Sequence, residues 1–182
     1  MKLANLSDFL VDPSVSSQWA LEGLPKDPLS IQNAIMVTKS SRYPLLIDPQ
    51  GQASDWIKRR EVEMIERGYI WNINNPKLKD YIKQPIEYGV AALIEGIENE
   101  VDPLFDPILE KQWIINRNRI ILDMGGDDKL DLDPKFTLYM TTRLSNPKFS
   151  PELAAKTTII DFTVTQGGLE EQLLSRVLSK EQ

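Results

Sequence analysis

The chain has 182 residues, 41% of them hydrophobic and 26% charged, which is the composition of one globular domain of ordinary size. It contains no cysteine and no histidine, so disulfides, thiolate or imidazole metal sites and histidine-based acid–base catalysis are excluded. The net charge of −6 disfavours nucleic acid and acidic membrane surfaces as partners, and no apolar run is long enough to span a membrane. The N-terminus has no secretory signal pattern, so a cytoplasmic location is expected.

Proline follows a good N-cap residue at four places, and each pair predicts a helix start because the first helical position needs no N–H. The first of these helices is expected to reach about Lys39, and the second to bend or end near Pro85. Apolar residues at helical spacing predict further helices over 53–67 and 168–180. The four pairs are Asp27-Pro28, Asn75-Pro76, Asp102-Pro103 and Ser150-Pro151.

Short apolar runs cut off by turn residues predict five buried strands. Their continuous apolar character is typical of a parallel sheet covered on both faces by helices. The stretch "NRIILDMGGDDKLDL" at 118–132 instead predicts a β-hairpin around two glycines. A hairpin turn is favoured over a calcium loop at "GGDD" because the ligand spacing of a calcium loop is missing. With no repeat or linker, residues 1–182 are predicted to form a single α/β domain. The strands are expected at 43–47, 69–74, 90–94, 136–142 and 157–164.

The first predicted strand leads through a loop into a helix, which is the setting of the phosphate-binding pattern G-x-x-x-x-G-K-[ST]. On that pattern Asp48 takes the first glycine, Ala53 the second, Ser54 the lysine and Asp55 the Mg²⁺-binding hydroxyl. Carboxylates therefore stand where phosphates need cations, and Asp55 can itself fill the anion site at the helix N-terminus. A degenerate phosphate loop and an ordinary strand–turn–helix connection both remain open. The loop comprises Asp48, Pro49, Gln50, Gly51, Gln52, Ala53, Ser54 and Asp55.

A second ATPase element is a strand that ends in Asp-Glu, with the aspartate for Mg²⁺ and the glutamate to activate water. The third predicted strand supplies Glu95 and Gly96 at these positions, and glycine cannot act as a base. Glu95 is either a degenerate counterpart of the aspartate or an ordinary strand-end carboxylate. Asp55 and Glu95 can share a cation, but two carboxylates are weak evidence, so no metal site is predicted.

Longer phrases are more specific than this loop. One is "LVDPSVSSQWALEGLPKDPLSIQNAIMVTKSSRYPLLIDPQGQ", which resembles the start of the fifth AAA+ module of dynein heavy chains, just after the microtubule-binding stalk. Three later phrases resemble later segments of that module, in the same order: "LIEGIENEVDPLFDPILEK", "LYMTTRLSNPKFSPELAAKTTIIDFTVT" and "GLEEQLLSRVL". The resemblance runs from about Leu10 to Leu178 and is loosest over 61–88 and 114–132. It implies a P-loop NTPase-like AAA+ large subdomain, with the hairpin as an insertion.

The resemblance also implies that the chain is a fragment of a far longer microtubule motor, whose linked modules form a ring. Its partners would be neighbouring AAA+ modules of the same heavy chain, and microtubules would be reached only through the stalk. The location would be the cytoplasm and cytoskeleton, or the axoneme of a cilium or flagellum. The isolated fragment is expected to be monomeric.

The fifth dynein module is generally regarded as non-nucleotide-binding, and its loop often reads "DPQ-x-QGK-x-W", with "LIED" at the strand end. This chain has "DPQGQASDW" and "LIEG", so it departs further from a working site. We therefore expect a non-catalytic structural or allosteric ring element without a cofactor, while ATP and Mg²⁺ act in other modules. The alternative is an ATP-binding or ATP-hydrolysing module with an atypical loop.

Two further positions gain an interpretation from the resemblance. AAA+ proteins place a polar sensor where Thr141 and Thr142 end the fourth strand, but without a γ-phosphate we expect capping or turn residues. Fifth modules often carry an arginine, in phrases like "ARTSIIDF", that reaches the adjacent nucleotide site; "AAKTTIIDF" puts Lys156 there. We expect Lys156 to be exposed in this chain, with a solvated helix-end lysine as the alternative. Core or interface anchors are expected at Trp19, Trp56, Trp71 and Trp113.

Overall fold

The computed structural model of the chain describes residues 13–25 and 27–163, which form an α/β fold with two separate sheets. The larger sheet has five parallel strands, as the apolar runs predicted, in the order β2 (Ile70–Asn72), β3 (Ala92–Glu95), β7 (Leu138–Thr142), β1 (Pro44–Ile47) and β8 (Thr158–Asp161). The third predicted strand lies inside this sheet, paired with a neighbour on each side. The smaller sheet has three strands, β4 (Trp113–Asn116), β5 (Arg119–Asp123) and β6 (Lys129–Asp131).

Helices connect the parallel strands, as crossover connections require. In the described part they are α1 (Pro13–Leu21), α2 (Pro28–Lys39), α3 (Gln52–Arg60), α4 (Val62–Arg67), α5 (Leu78–Tyr81), α6 (Lys83–Tyr88), α7 (Asp106–Leu109) and α8 (Pro151–Lys156), with a 3₁₀ turn at Pro103–Phe105. None of these helices is long and apolar enough to cross a membrane. The helix predicted at 168–180 lies outside the described residues.

Side-chain capping explains which helix starts the sequence predicts correctly. The Asp27 carboxylate accepts a hydrogen bond from the Ser30 N–H at 3.0 Å, and the Ser150 hydroxyl accepts one from the Leu153 N–H at 3.2 Å. Asp102 caps only a 3₁₀ turn, which continues into α7. The predicted start at Asn75 is wrong, because its side chain accepts from the Lys77 N–H in a turn and α5 begins later.

The predicted helix at 53–67 is in fact two helices, separated at Glu61. The backbone of Glu61 leaves the helical region (φ −103°, ψ 72°), and its carboxylate accepts a hydrogen bond from the Tyr139 hydroxyl of β7 at 2.8 Å. The helix predicted to bend near Pro85 breaks at Ile82, three residues earlier, which agrees with the restriction that proline places on the preceding turn.

The predicted hairpin is present, and it forms a sheet of its own with one strand more than expected. β5 and β6 pair antiparallel on either side of 124–128, which confirms the hairpin. β4 adds to the other side of β5 and was not predicted. Leu122 and Leu130 face each other across β5 and β6 and are buried, so this sheet is anchored in the common core.

The main core lies on both faces of the parallel sheet. Leu45 and Leu46 of β1 are fully buried although they point to opposite faces, which is the arrangement that continuous apolar strands predict. Of the four predicted aromatic anchors, Trp19 and Trp56 are buried with their rings in edge contact, and Trp71 and Trp113 pack against the core partly buried.

Candidate functional site

The predicted phosphate loop lies at the carboxyl end of β1, an inner strand between β7 and β8, where open parallel sheets bind ligands. Asp48 follows β1 directly, and its N–H donates to the Thr142 carbonyl at the end of β7 at 2.9 Å. Gly51 precedes the first residue of α3 with a left-handed φ of +77°. The strand–loop–helix order of the pattern is therefore confirmed.

The Asp48 side chain closes the loop from inside. Its carboxylate is completely buried and accepts hydrogen bonds from the Ala53 N–H at 3.1 Å and the Ser54 N–H at 2.9 Å. These N–H groups begin α3, where unpaired donors and the helix dipole favour an anion. The expectation that Asp55 takes this place is wrong, because Asp55 is exposed and Asp48 already satisfies the donors.

Opposing effects act on the Asp48 carboxyl group. Burial raises its pKa above the usual value because the charged form loses solvation. The backbone N–H groups of Ser54 and Ala53 and the Arg143 guanidinium lower the pKa, but burial has the larger effect. The loop thus holds a buried carboxylate in the place where the pattern expects an external anion.

Arg143 supplies a cation to this loop that the sequence pattern did not identify. A Cβ atom built on Gly51 would lie only 2.8 Å from the Nη1 atom of Arg143, so the guanidinium stands directly against the loop backbone. Together with the positive φ, this contact explains why position 51 carries glycine. The only sequence signal for Arg143 was its place immediately after Thr142, at the end of a buried strand.

Glu95 also has an internal partner. The Nζ atom of Lys58, on α3, lies 3.2 Å from the Oε1 atom of Glu95, close enough for an ion pair, although this oxygen accepts no hydrogen bond within the described part of the chain. The Glu95 carboxylate therefore has a cationic partner within the chain, the ammonium group of Lys58. No group of three or more acidic residues that could hold a metal occurs among the described residues.

Gly96 has a structural reason to be glycine. Its φ is +79°, and a Cβ atom there would lie 2.6 Å from the side-chain amide nitrogen of Asn72, at the end of β2. A glutamate at this position would meet both the strained backbone and the Asn72 side chain.

The two threonines at the end of β7 are buried. The Thr142 hydroxyl accepts a hydrogen bond from the Leu144 N–H at 3.2 Å, as expected for a turn residue. The Thr141 carbonyl accepts one from the Ile97 N–H at 3.1 Å. A sensor role for Thr141 and Thr142 stays a prediction.

Lys156 is partly buried, so the expectation of an exposed side chain is wrong. Its Nζ atom lies 2.9 Å from Asp106 and 3.8 Å from Glu110, and 19% of the side chain is accessible. The hydrogen bond to Asp106 and the nearby carboxylates raise the pKa of Lys156. These contacts join α8 to α7 and its C-terminal end. An action of Lys156 on a neighbouring module stays a prediction.

The chain is similar to known proteins over nearly its whole length. The sequence profile of a family described as ATP-binding dynein motor region matches residues 17–182. The dynein gamma chain of the flagellar outer arm from Chlamydomonas reinhardtii is 46% identical over 176 residues, which are 97% of this chain and 4% of that protein. Dynein axonemal heavy chain 8 from Homo sapiens is 46% identical over 177 residues, again 97% of this chain and 4% of that one. Dynein-1-beta heavy chain of the flagellar inner arm I1 complex from Chlamydomonas reinhardtii is 39% identical over 176 residues, 95% of this chain and 4% of its own length. The chain thus spans about 4% of the length of these relatives and belongs to the family of ATP-binding dynein motor regions.

Proposed function

We propose that this chain is a non-catalytic AAA+ module of a dynein heavy chain, a structural and allosteric element that neither binds nor hydrolyses ATP. The observation that carries the proposal is the position of the Asp48 carboxylate on the N–H groups of Ala53 and Ser54. In a working phosphate loop such N–H groups face phosphate oxygens. A phosphate arriving at this loop would have to displace a buried group that already satisfies them.

The remaining charges around the loop support the same proposal. Lys58 is paired with Glu95, so its charge is already balanced by a carboxylate of the same chain. Ser54 takes the place of the phosphate-binding lysine and is buried, and the exposed Asp55 takes the place of the Mg²⁺ ligand. Each carboxylate–phosphate contact at 4 Å costs about 4 kcal/mol at an effective dielectric constant of 20.

The proposal extends to the place of this chain in the motor. The phrases quoted above favour the fifth module, just after the stalk, and the chain covers only about 4% of its relatives. Its partners are then neighbouring modules of the same heavy chain, with microtubules contacted only through the stalk and ATP and Mg²⁺ held by other modules. The flagellar and axonemal names of the relatives support a location in the cytoskeleton of a cilium or flagellum.

The alternative is an ATP-binding module with an atypical loop, and the family description, which includes ATP binding, favours it. Under that alternative Asp48 would leave the N–H groups of α3 when nucleotide arrives, and Arg143 would take over the role of the missing lysine. The two proposals therefore differ in one measurable quantity, the affinity of the chain for nucleotide.

Isothermal titration calorimetry of the chain with ATP and with ADP, each with Mg²⁺, tests the proposal. We expect no binding with a Kd below about 100 μM, which corresponds to roughly −5.5 kcal/mol. Ser54→Lys alone should not bind, because Asp48 still occupies the N–H groups. The fully restored pattern, with Asp48→Gly, Ala53→Gly, Ser54→Lys and Asp55→Thr together, is the positive comparison. Wild-type binding tighter than about 100 μM that Arg143→Ala abolishes would establish the alternative.

A further inference from the structure

The three-stranded sheet ends in a strand that is covered on one side only. β4 is the outer strand in the order β4-β5-β6, and it pairs with β5 alone. No strand in the described part of the chain lies along its other side. An outer strand presents unpaired backbone N–H and C=O groups, which are a template for a further strand.

The register shows which residue of β4 presents these groups. A two-residue turn, Arg117-Asn118, joins Asn116 to Arg119, so that pair exchanges both backbone hydrogen bonds. Hydrogen-bonded and non-hydrogen-bonded pairs alternate along antiparallel strands, so Ile115 and Ile120 form a non-hydrogen-bonded pair.

One contact on the far side of β5 supports this assignment. The Ile120 carbonyl accepts a hydrogen bond from the Leu132 N–H at 2.8 Å, so it points away from β4. Ile115, its partner across the pair, correspondingly directs its N–H and C=O to the outer edge.

The side chains at this edge are apolar and exposed. Ile115 is 75% exposed and Ile114 is 51% exposed, on opposite faces of the strand. Outer strands of stable proteins are normally protected by lysine, proline, a bulge or an inward-pointing charge. The sequence of β4, "WIIN", contains none of these. An edge of this kind favours pairing with another strand.

We propose that β4 is extended by a fourth strand from another segment of the same heavy chain, an extended apolar stretch that carries a carboxylate. The chain covers about 4% of its relatives, so most of the heavy chain that could supply this strand lies outside it. The inference rests on membership of the family and is independent of whether the phosphate loop binds nucleotide. Strand addition of this kind takes its affinity from main-chain hydrogen bonds and its selectivity from alternate side chains.

The positive charge around β4 indicates that the added strand carries a carboxylate. Residues 111–122 contain three cations and no acidic residue, in a chain whose net charge is −6. Arg119 forms an ion pair with Asp131, with 2.7 Å between Nη2 and Oδ1. Arg117, at the turn, is exposed and pairs with no carboxylate among the described residues. A strand that carries aspartate or glutamate beside Arg117 would supply the missing counterion.

Photo-crosslinking in the full heavy chain tests the proposal, with p-benzoylphenylalanine in place of Ile115. We expect one crosslinked peptide outside this 182-residue segment, apolar, extended in pattern and containing an acidic residue. The same probe in place of Tyr88, which is 62% exposed on α6, is the matched control and should not give that peptide. The proposal is overturned by the absence of a crosslink at Ile115, by crosslinks confined to this segment, or by crosslinks to a second heavy chain.

Hydrogen exchange in the same full heavy chain gives an independent measurement. The Ile114 N–H is paired with β5 in any case, so it serves as the internal reference. If a fourth strand is present, the Ile115 N–H should be protected to within about tenfold of the Ile114 N–H. Exchange of the Ile115 N–H about 100-fold faster than that of Ile114 would show a free edge and reject the proposal.

Discussion

Removal of the Asp48 carboxylate is the most direct test of how this loop is held. In Asp48→Ala the N–H groups of Ala53 and Ser54 lose their acceptor in a place that is closed to water. Each buried donor left without a partner costs about 1–3 kcal/mol, so the two donors together predict a loss of about 2–6 kcal/mol in the free energy of unfolding. Asp48→Asn keeps one acceptor oxygen and should lose about half as much.

Urea unfolding followed by circular dichroism measures these differences, with Asp127→Asn, an exposed carboxylate in the β5–β6 turn, as the control. Phosphate at about 100 mM should stabilise Asp48→Ala more than wild type, because an anion that binds only the folded state raises its stability by mass action. A free energy of unfolding for Asp48→Ala within about 0.5 kcal/mol of wild type would refute the reasoning, since surface substitutions alone give such values.

Three further outcomes are expected. Burial raises the pKa of Asp48, so protonation of its carboxyl group adds stability that is complete below the usual pKa of about 3.9 and is lost as the pH rises through the raised folded value. The stability of wild type relative to Asp48→Asn should therefore fall from about pH 4 upward in paired urea titrations, and a rise would contradict it. Gly51→Ala should lower the free energy of unfolding by about 1–2 kcal/mol because of the positive φ. It should also displace the Arg143 side chain, and this second cost should disappear in an Arg143→Ala background. If the two substitutions are additive in a double-mutant cycle, the contact between position 51 and Arg143 is excluded. Lys156→Ala should lower the melting temperature, and the difference should shrink in high salt if the pair with Asp106 is the cause.

The parallel sheet could be predicted from sequence because its signal is local. Each strand is buried on both faces, so its residues form an unbroken apolar run that needs no knowledge of its neighbours. The caps at Asp27 and Ser150 are local in the same sense, since donor and acceptor lie three residues apart. Asn75 offers the same pattern but satisfies a turn two residues on, and local sequence does not separate the two outcomes.

The features that sequence did not reveal depend on contacts between distant parts of the chain. The break at Glu61 is associated with the hydroxyl of Tyr139, 78 residues further on. β4 is short, mostly exposed and stabilised by pairing with β5. Its apolar residues therefore show no clear alternation in the sequence. The partners of the candidate site are Lys58 for Glu95 and Arg143 for the loop, and they come from α3 and from the residue after β7, which meet at the carboxyl ends of the strands.

The two kinds of change in this loop have different physical consequences. Replacing the lysine with Ser54 removes an attraction for phosphate, and a new cation nearby could restore it. Replacing the first glycine with Asp48 adds a carboxylate that occupies the anion site. This carboxylate accepts hydrogen bonds from the N–H groups of Ala53 and Ser54, at the start of α3, from inside the loop. An added cation would attract the Asp48 carboxylate as well as a phosphate, so it would not favour the phosphate over Asp48. A carboxylate fixed to the chain also pays no entropy of association, so it has the advantage over any free anion. On this reasoning position 48 has to change before any other substitution in the loop can create a nucleotide site.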